Sequence, residues 1–377
     1  MRVLHVYKTY YPDTLGGIEQ VLFQLTRGLA GMGIENRIFT VSPDPHPAVI
    51  VRPESQVHRA RTTVEVASNA VSLQALMQFR AHLRWADVVH YQFPWPFADL
   101  LHEVGGGMRA SVVSYQSDVV RQKWLLKLYR PLMQRFLRSV DAVVATSPGY
   151  VRSSPVLGAL PRAPRIIANG MDEDTCAQAR PETLARWRAE VGEGFFFFVG
   201  VLRYYKGLHV LLEAARGFDG QVVIAGDGPE ADELGRQAQA LGLTNVRLLG
   251  RVDDQDKHAL MQLCRAFVFP SHLRSEAFGM SLVEAAMHGK PMISCDIDTG
   301  TSYINVDGVT GWTVPPADGP ALHEAMCRLQ ANLPQAAAFG VAARERYHQL
   351  FTARHMAHAY AQVYEEVLRQ RTAGRTP

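Results

Sequence analysis

Short apolar runs alternate with amphipathic helical segments along the whole chain. The runs are rich in Val, Ile, Leu and Phe and have the length of strands rather than of helices. Parallel strands need crossover connections, which are usually helices, so this alternation predicts an α/β fold with parallel sheets. We predict strands at 2–7, 36–41, 87–91, 111–115, 141–145, 165–168, 195–199, 221–225, 246–249, 266–269 and 292–295.

The chain has 377 residues, which is too long for one typical domain and fits two. The proline-rich 161–164 and the acidic run 171–174 flank the expected junction. Two α/β halves of similar size predict an active site in the cleft between them. We expect an N-terminal domain, a C-terminal domain and a terminal helical segment over 1–175, 176–345 and 346–377.

Several protein classes are excluded by what the sequence lacks. No apolar run approaches the ~18 residues of a membrane-spanning helix, and the N-terminus lacks the apolar core of a signal peptide. Cys176, Cys264, Cys295 and Cys327 are far apart without a Cys-x-x-Cys, which argues against a disulfide framework or a zinc site. We expect a cytoplasmic protein without a metal.

Positive charge is concentrated in the first half. Residues 1–170 carry 19 Lys and Arg against 11 Asp and Glu, a net charge of +8, whereas the remainder is at −5. The segment 121–138 has six cations, no acid and many apolar residues, which favours a helix on an anionic membrane surface. The alternative is a core helix with a charged outer face. No compact nucleic-acid motif is present, so nucleic acid is not expected.

A strand, a glycine-ended loop and a helix are predicted over 266–291. The loop carries Glu276 and ends at Gly279, and Glu284 follows inside the helix. The N-terminus of such a helix presents free backbone N–H groups to an anion. A carboxylate beside a phosphate needs another task, and accepting hydrogen bonds from sugar hydroxyls is a natural one. The pattern indicates a nucleotide-sugar site, although a solvent-facing glutamate together with one on a helix face would give the same pattern.

Two other strand-to-helix turns contain residues suited to phosphate binding. Arg203 and Lys206 follow the Phe-rich strand 195–199 and can neutralise a diphosphate. Gly16 and Gly17 precede a helix predicted at about 18–29, where glycines permit close approach of the backbone to a ligand. A plain turn explains a glycine pair equally well.

Two further motifs keep other chemistries open. Residues 226–231 fit Gly-x-Gly-x-x-Ala, the dinucleotide fingerprint, which supports an NAD-dependent oxidoreductase as a rival function. The triplets at 172–174 and 296–298 fit Asp-x-Asp, a metal-holding pattern, but neither has companion ligands nearby in the sequence.

Taken together and in this order, the motifs resemble those of the retaining glycosyltransferases of family 4, over essentially the whole chain. The resemblance implies the GT-B fold, in which two Rossmann-like domains with parallel sheets face each other and a C-terminal helix crosses back to the first domain. The start of the chain, 8–20, is similar to bacterial transferases that build mannose- or D-rhamnose-containing O-antigen chains from GDP-sugars. The motifs are Gly16-Gly17, Gly200 to Gly207, Gly226 to Pro229, and Ser275 to Gly279 with Glu284.

The resemblance assigns a role to each candidate residue. Glu276 is expected to contact hydroxyls of the donor sugar, and Glu284 to accept both ribose hydroxyls. Arg203 and Lys206 are expected to hold the diphosphate during catalysis, and Gly17 to approach it from the first domain. The base is expected near Val252. Backbone N–H groups around the sugar and diphosphate come from Ala277, Phe278, Gly279 and Met280.

The chain departs from the family pattern at two positions. Val201 stands where many members have Arg, and Arg203 is a candidate to replace that charge. Gln116 stands where the family usually has His in the sugar pocket. Glutamine cannot shuttle a proton but can donate a hydrogen bond. If the histidine normally contacts a 6-hydroxyl, a 6-deoxy donor such as GDP-D-rhamnose relaxes the need for it.

The sequence therefore predicts a retaining transferase that moves mannose or D-rhamnose from a GDP-sugar to a lipid-linked glycan, without a metal or other cofactor. It is expected to associate peripherally with the inner face of the cytoplasmic membrane through 121–138. The alternatives are a UDP-hexose donor, an NAD-dependent oxidoreductase, and an inactive GT-B domain that serves as a binding partner. Acceptor, linkage and oligomeric state are left open.

Overall fold

A computed structural model describes residues 1–66, 69–119, 123–176 and 178–373, with 123–126 as backbone only. The chain divides into unit 1, Met1–Gly170 together with the segment from Ala353, and unit 2, Met171–Thr352. The expected boundaries were 175/176 and 345/346. Met171 belongs to unit 2 because its N–H donates to the carbonyl of Phe351 at 3.0 Å and its carbonyl accepts from Tyr347 Oη at 2.9 Å.

Unit 1 is built on an eight-stranded sheet with the order β10-β9-β8-β7-β1-β2-β4-β3, in which β3 alone pairs antiparallel. A separate hairpin, β5-β6, was not predicted from the sequence, nor were β3 and β4. The strands are β1 (Arg2–Val6), β2 (Glu35–Ser42), β3 (Val49–Val51), β4 (Gln56–Arg61), β5 (Val64–Val66), β6 (Asn69–Val71), β7 (Val88–Phe93), β8 (Ala110–Tyr115), β9 (Ala142–Ala145) and β10 (Arg165–Ile166).

Helices connect the parallel strands of unit 1, as the crossover rule requires. The first helix begins at Gly17, the second residue of the glycine pair, one residue before the predicted start. The helices of this part of the chain are α1 (Gly17–Gly31), α2 (Leu73–Trp85), α3 (Pro96–Gly105), α4 (Lys123–Ser139), α5 (Pro148–Ser153) and α6 (Pro155–Gly158).

Unit 2 has a six-stranded, entirely parallel sheet with the order β13-β12-β11-β14-β15-β16. Its central strands are buried on both faces, which explains why they read as continuous apolar runs in the sequence. The strands are β11 (Phe196–Val199), β12 (Val222–Ala225), β13 (Val246–Gly250), β14 (Ala266–Phe269), β15 (Met292–Cys295) and β16 (Gly311–Val314).

Helices again link the strands of unit 2, with short 3₁₀ turns at Glu173–Thr175 and Tyr204–Lys206. The helices are α7 (Pro181–Val191), α8 (Leu208–Ala214), α9 (Ala231–Ala240), α10 (Asp254–Leu263), α11 (Met280–Met287), α12 (Thr301–Ile304), α13 (Gly319–Ala331) and α14 (Leu333–Leu350). Every strand predicted from the sequence is present, whereas β16 was missed.

The last helix, α15 (Ala353–Ala373), belongs to unit 1. It packs on α1, where a Cβ on Gly28 would lie only 2.6 Å from the Cβ of Ala357. Its buried Tyr360 and Tyr364 form hydrogen bonds with Ser114 of β8 and His90 of β7. The terminal helical segment predicted from the sequence is thus two helices, and the first of them, α14, stays in unit 2.

None of the helices in the described ranges is long and apolar enough to cross a membrane.

Candidate functional site

The strands β11 and β14 are hydrogen-bonded neighbours in the parallel sheet of unit 2. Their carboxyl ends lie at the same edge, so the loops that follow them meet. The loop after β11 contains Arg203 and Lys206, and the loop after β14 contains Glu276. Three residues predicted separately from two sequence motifs are therefore carried by adjacent loops.

Lys206 and Glu276 form an ion pair between these loops. Only 12% of the Lys206 side chain and 11% of the Glu276 side chain are exposed. Ser271 Oγ donates a second hydrogen bond to the same carboxylate oxygen at 3.2 Å, and the ammonium lies 4.6 Å from the centroid of the Phe269 ring. Low exposure weakens solvent screening, so each charge depends on the other or on a ligand that replaces it.

Arg203 differs from Lys206 in being exposed. Its guanidinium has no partner within the part of the chain that the structure describes. The turn closes at Gly207, whose φ of 69° and lack of a Cβ are required because a Cβ there would lie 2.0 Å from the carbonyl oxygen of Pro270. The loop thus carries one cation in an ion pair, Lys206, and one exposed cation that is free to contact a ligand, Arg203.

The N-terminus of α11 carries the predicted anion site. Gly279 caps the helix with a φ of 101°, a conformation that favours glycine. The backbone N–H groups of Ala277, Phe278, Gly279 and Met280 donate to no acceptor among the described residues. Free N–H groups at a helix N-terminus attract an anion or polar oxygens, as the sequence predicted.

Glu284 lies inside α11 and is buried, with 7% of its side chain exposed. Lys257 Nζ donates to Glu284 Oε1 at 2.9 Å and also contacts Asp254 at 3.2 Å. Burial lowers the pKa of Lys257, but the negative charges of Glu284 and Asp254 outweigh burial and raise it above its ordinary value. Lys257 is therefore charged and holds the carboxylate in place. No sequence motif indicated Lys257 as the partner of Glu284.

Val252 lies just beyond the carboxyl end of β13, an edge strand of the same sheet, and is half-buried. Like Lys206 and Glu276, Val252 follows the carboxyl end of a strand, and ligands bind beside the carboxyl ends of the strands in α/β folds. Unit 2 thus gathers all the residues predicted to bind the donor in this half of the chain at one edge of its sheet.

The dinucleotide fingerprint has a packing role. A Cβ on Gly226 would lie 1.9 Å from the carbonyl oxygen of Gly200, and a Cβ on Gly228 would lie 2.5 Å from that of Leu202. The Leu202 N–H donates to the carbonyl of Asp227 at 2.9 Å. These glycines let the loop after β12 pack directly on the loop after β11, which explains the motif without a dinucleotide.

In unit 1, Gly16 and Gly17 have different surroundings. A Cβ on Gly16 would lie 2.4 Å from Glu19 Oε2, whose carboxylate also accepts from the hydroxyls of Thr9 and Thr14 at 2.7 and 2.6 Å. A Cβ on Gly17 would meet nothing within 4 Å. Packing against Glu19 within unit 1 therefore explains the glycine at position 16, whereas the space beside Gly17 is open.

Gln116 is buried, with 6% exposure, and both ends of its amide are engaged. Its Nε2 donates to Gln92 Oε1 at 3.0 Å, and its Oε1 accepts from Asn169 Nδ2 at 3.2 Å. Gln92 Nε2 in turn lies 3.4 Å from Nε2 of His90. This buried network, which no sequence motif indicated, ties Gln116 to the polar groups that anchor α15.

The predicted metal patterns gather no ligand cluster. In the ranges that the structure describes, no three His, Cys, Asp or Glu side chains are grouped closely enough to hold a metal ion. Asp296 instead accepts a hydrogen bond from Ser302 Oγ at 2.7 Å, and Asp298 occupies a turn with a φ of 53°.

The basic segment is largely helical, since α4 spans Lys123–Ser139, whereas Arg121 and Gln122 lie outside the described residues. Leu128 is 82% exposed, and Arg130 and Arg138 are exposed without an acidic partner among the described residues. The inner face packs into the core through the buried side chains of Met133, Phe136 and Leu137. A packed inner face with a charged outer face is what the core-helix interpretation predicts, and contact with a membrane stays a prediction.

Comparison with known proteins gives consistent results. Residues 15–175 match the family described as Glycosyltransferase Family 4, and residues 179–346 match the family described as glycosyl transferases group 1. The chain is 55% identical over 353 residues to the D-rhamnosyltransferase WbpZ of Pseudomonas aeruginosa, covering 94% of this chain and 93% of that protein. It is 47% identical over 372 residues to the O-antigen chain mannosyltransferase C of Escherichia coli, covering 99% and 100%.

Similarity to solved structures extends over both units. The structure of HepE from Anabaena in complex with UDP and glucose matches with a TM-score of 0.78 at 19% identity, covering 97% of this chain and 100% of that chain. At this identity the likeness shows the fold alone. The predicted GT-B fold, with parallel Rossmann-like domains and a C-terminal helix, is confirmed.

The packing role of Gly226 can be tested by substitution. We expect Gly226→Ala to lower the free energy of unfolding by about 3 kcal/mol, because the new methyl group would overlap the Gly200 carbonyl at a strained φ. The matched control is Gly235→Ala in α9, where a Cβ meets open space and should raise stability by about 0.5–1 kcal/mol. Urea unfolding measures both, and equal stability of the two variants would contradict the packing role.

Proposed function

We propose a donor, an acceptor and a set of residue roles for this chain, which belongs to glycosyltransferase family 4 and is a hexosyltransferase. It moves D-rhamnose or mannose from a GDP-sugar onto a lipid-linked glycan during synthesis of a bacterial surface polysaccharide such as O-antigen. The names of the two relatives support this sugar class. The observation that carries the proposal is the Lys206–Glu276 pair beside the free N–H groups of α11.

Donor binding would redistribute the contacts of this pair. Sugar hydroxyls would donate to Glu276, and the diphosphate would accept from Lys206, so each buried charge exchanges one partner for another. Arg203, which is exposed and unpaired among the described residues, supplies a second cation to the diphosphate. The N–H groups of Ala277 to Met280 add neutral donors around the sugar and phosphates.

Glu284 would accept hydrogen bonds from the ribose hydroxyls, while Lys257 keeps its carboxylate charged and in position. Hydrogen bonds to a charged group are worth about 1.5–3 kcal/mol each, which is enough to dominate affinity for the nucleotide. Val252 follows β13 at the same edge of the sheet and would contact the base. Gly17, with open space beside it, would allow close approach of the diphosphate to the start of α1.

Transfer would retain the anomeric configuration. The bond from the sugar C1 to the phosphate oxygen breaks, and the acceptor hydroxyl oxygen forms a new bond to C1 on the same face. The acceptor proton passes to the departing phosphate oxygen, whose charge Arg203 and Lys206 stabilise. No side chain is needed as a base, which fits the presence of Gln116. The two cations replace the metal that some other transferases use.

The contacts of Gln116 favour D-rhamnose over mannose. Its amide is engaged at both ends by Gln92 and Asn169, and with only 6% of the residue exposed, little of the amide is accessible to a sugar hydroxyl. A 6-deoxy sugar lacks the 6-hydroxyl that would otherwise require a partner. We therefore rank GDP-D-rhamnose first and GDP-mannose second among the donors.

The exposed face of α4 would contact the membrane that holds the lipid-linked acceptor. Leu128 can enter the interface while Arg130 and Arg138 contact anionic headgroups. This would place the enzyme peripherally at the inner face of the cytoplasmic membrane.

A donor panel tests the proposed reaction. The enzyme is incubated with a membrane-extracted lipid-linked glycan and GDP-D-rhamnose, GDP-mannose, UDP-glucose or NAD, and products are analysed by mass spectrometry and NMR. We expect transfer from GDP-D-rhamnose, weaker transfer from GDP-mannose, and retention at C1. Equal use of the two GDP-sugars would contradict the argument from Gln116. Exclusive use of UDP-glucose, or turnover of NAD alone, would overturn the proposal.

Two variants separate donor binding from turnover. Glu284→Gln should raise the donor KM about 10–100-fold, because charge-assisted bonds to the ribose are lost. Lys206→Met should lower kcat about 100–1,000-fold, because charge on the departing diphosphate is no longer stabilised. Glu345→Gln, an exposed glutamate in α14, is the matched control. Steady-state kinetics at a temperature well below the Tm of each variant measures both effects, and wild-type parameters in either would refute its assignment.

Membrane association is tested by flotation with vesicles that contain anionic phospholipid. Arg130→Gln combined with Arg138→Gln should lower binding about 30-fold, since each surface cation contributes about 1 kcal/mol. The control combines Arg216→Gln with Arg369→Gln. It removes the same charge from two exposed positions, one in the turn after α8 and one in α15. Equal loss of binding in both double variants would show that total charge alone, and not α4, determines the effect.

A further inference from the structure

Three rings form a cluster at the loops that carry Lys206 and Glu276 and at the start of α8. Tyr204 stacks on His209 with centroids 5.0 Å apart and an interplanar angle of 4°. His272 stands edge-on to both, at 5.1 Å from each centroid and with interplanar angles of 82° and 84°. Tyr204 lies within the Gly200 to Gly207 motif, but neither the sequence analysis nor the proposed donor contacts give any of the three rings a role.

Tyr204 is unusual because it is held firmly and yet 57% exposed. Two histidine rings fix its orientation, so little conformational entropy remains to be lost when a ligand contacts it. Its hydroxyl has no hydrogen-bond partner among the described residues. A rigid, exposed aromatic ring of this kind is a feature of recognition surfaces rather than of a folding core.

The position of the cluster relates it to the charged pair. Tyr204 begins the 3₁₀ turn that ends at Lys206. The backbone N–H of His272 donates to the carbonyl of Tyr205 at 3.0 Å. His272 also directly follows Ser271, whose hydroxyl donates to Glu276 at 3.2 Å. Tyr204 and His272 therefore lie on the same two loops as the ion pair, and His209 lies in α8 directly after the first loop.

The chemistry of the cluster differs from that of the pair. Burial, and then the neighbouring His209, lower the pKa of His272 below its ordinary value, so its ring is neutral at neutral pH. A neutral aromatic surface is a poor phosphate site. A pyranose, in contrast, has one face of C–H groups with slight positive charge, which is complementary to the negative face of an aromatic ring.

This inference rests on the proposed function, in which the donor's sugar, diphosphate and ribose already have polar partners. The terminal sugar of the acceptor has no assigned partner there. We propose that Tyr204, supported by His209 and His272, is the stacking surface for the terminal pyranose of the acceptor glycan. Lys206 lies two residues away in the same turn. It would then stabilise the phosphate that departs when a hydroxyl of this sugar attacks C1 of the donor sugar.

The test compares KM values for acceptor and donor, with octyl α-D-mannoside and octyl α-D-rhamnoside as soluble acceptors. Tyr204→Ala should raise the acceptor KM about 10-fold through loss of the stacking surface, with little change in the donor KM. Tyr204→Phe keeps the ring and should restore the acceptor KM. Leu333→Ala, which removes an equally exposed apolar side chain from α14, is the control.

A rise in the donor KM with an unchanged acceptor KM would overturn the assignment, as would equal effects of Tyr204→Ala and Leu333→Ala. If Tyr204→Ala lowers the Tm, Tyr204→Leu keeps apolar bulk without an aromatic face and should still raise the acceptor KM. Saturation-transfer NMR with the same octyl glycosides and no donor gives a second readout. Loss of that signal in Tyr204→Ala supports the acceptor site even if no GDP-sugar is used, so the two proposals fail separately.

Discussion

The ion pair between Lys206 and Glu276 connects the two loops on which the candidate site is built. Both side chains are largely withdrawn from water, and removing one partner of such a pair typically costs about 3–5 kcal/mol because the other charge stays buried and uncompensated. A donor that brings both hydroxyls and phosphates can supply each charge with a new partner. The pair therefore holds the free site together and is also the feature that a sugar diphosphate can replace.

The parallel sheet makes this pair possible. Because β11 and β14 pair in parallel, their following loops leave the same edge of the sheet, and Gly207 of the first loop permits close contact with the backbone of Pro270 in the second. Glu284 is also held by an ion pair, in this case with Lys257 of α10. The carboxylates of Glu276 and Glu284 are thus each paired with a lysine from a neighbouring element, whereas Arg203 is exposed and unpaired among the described residues.

Much of the site was predictable because local sequence carries it. Glycine before a helix, a cation pair in a strand-to-helix turn, and two carboxylates on one strand–loop–helix unit each depend on residues close in sequence. The partners of these residues were not predictable. Lys257 for Glu284, Gln92 and Asn169 for Gln116, and the rings around Tyr204 come from distant segments or from faces of helices that no periodicity identifies. The short strands β3, β4 and β16 lacked a distinctive apolar pattern and were missed.

By itself, the sequence determined the α/β class and the family, and it predicted the candidate donor-site residues, because alternating apolar runs and short motifs act locally. Tertiary structure decided which of these residues are paired and which are available. It separated Gly16, which makes room for Glu19, from Gly17, which faces open space, and it turned a dinucleotide fingerprint into a packing contact. It also assigned α14 and α15 to different units. These outcomes depend on contacts between segments far apart in the chain, and such contacts leave no periodic signal in the sequence.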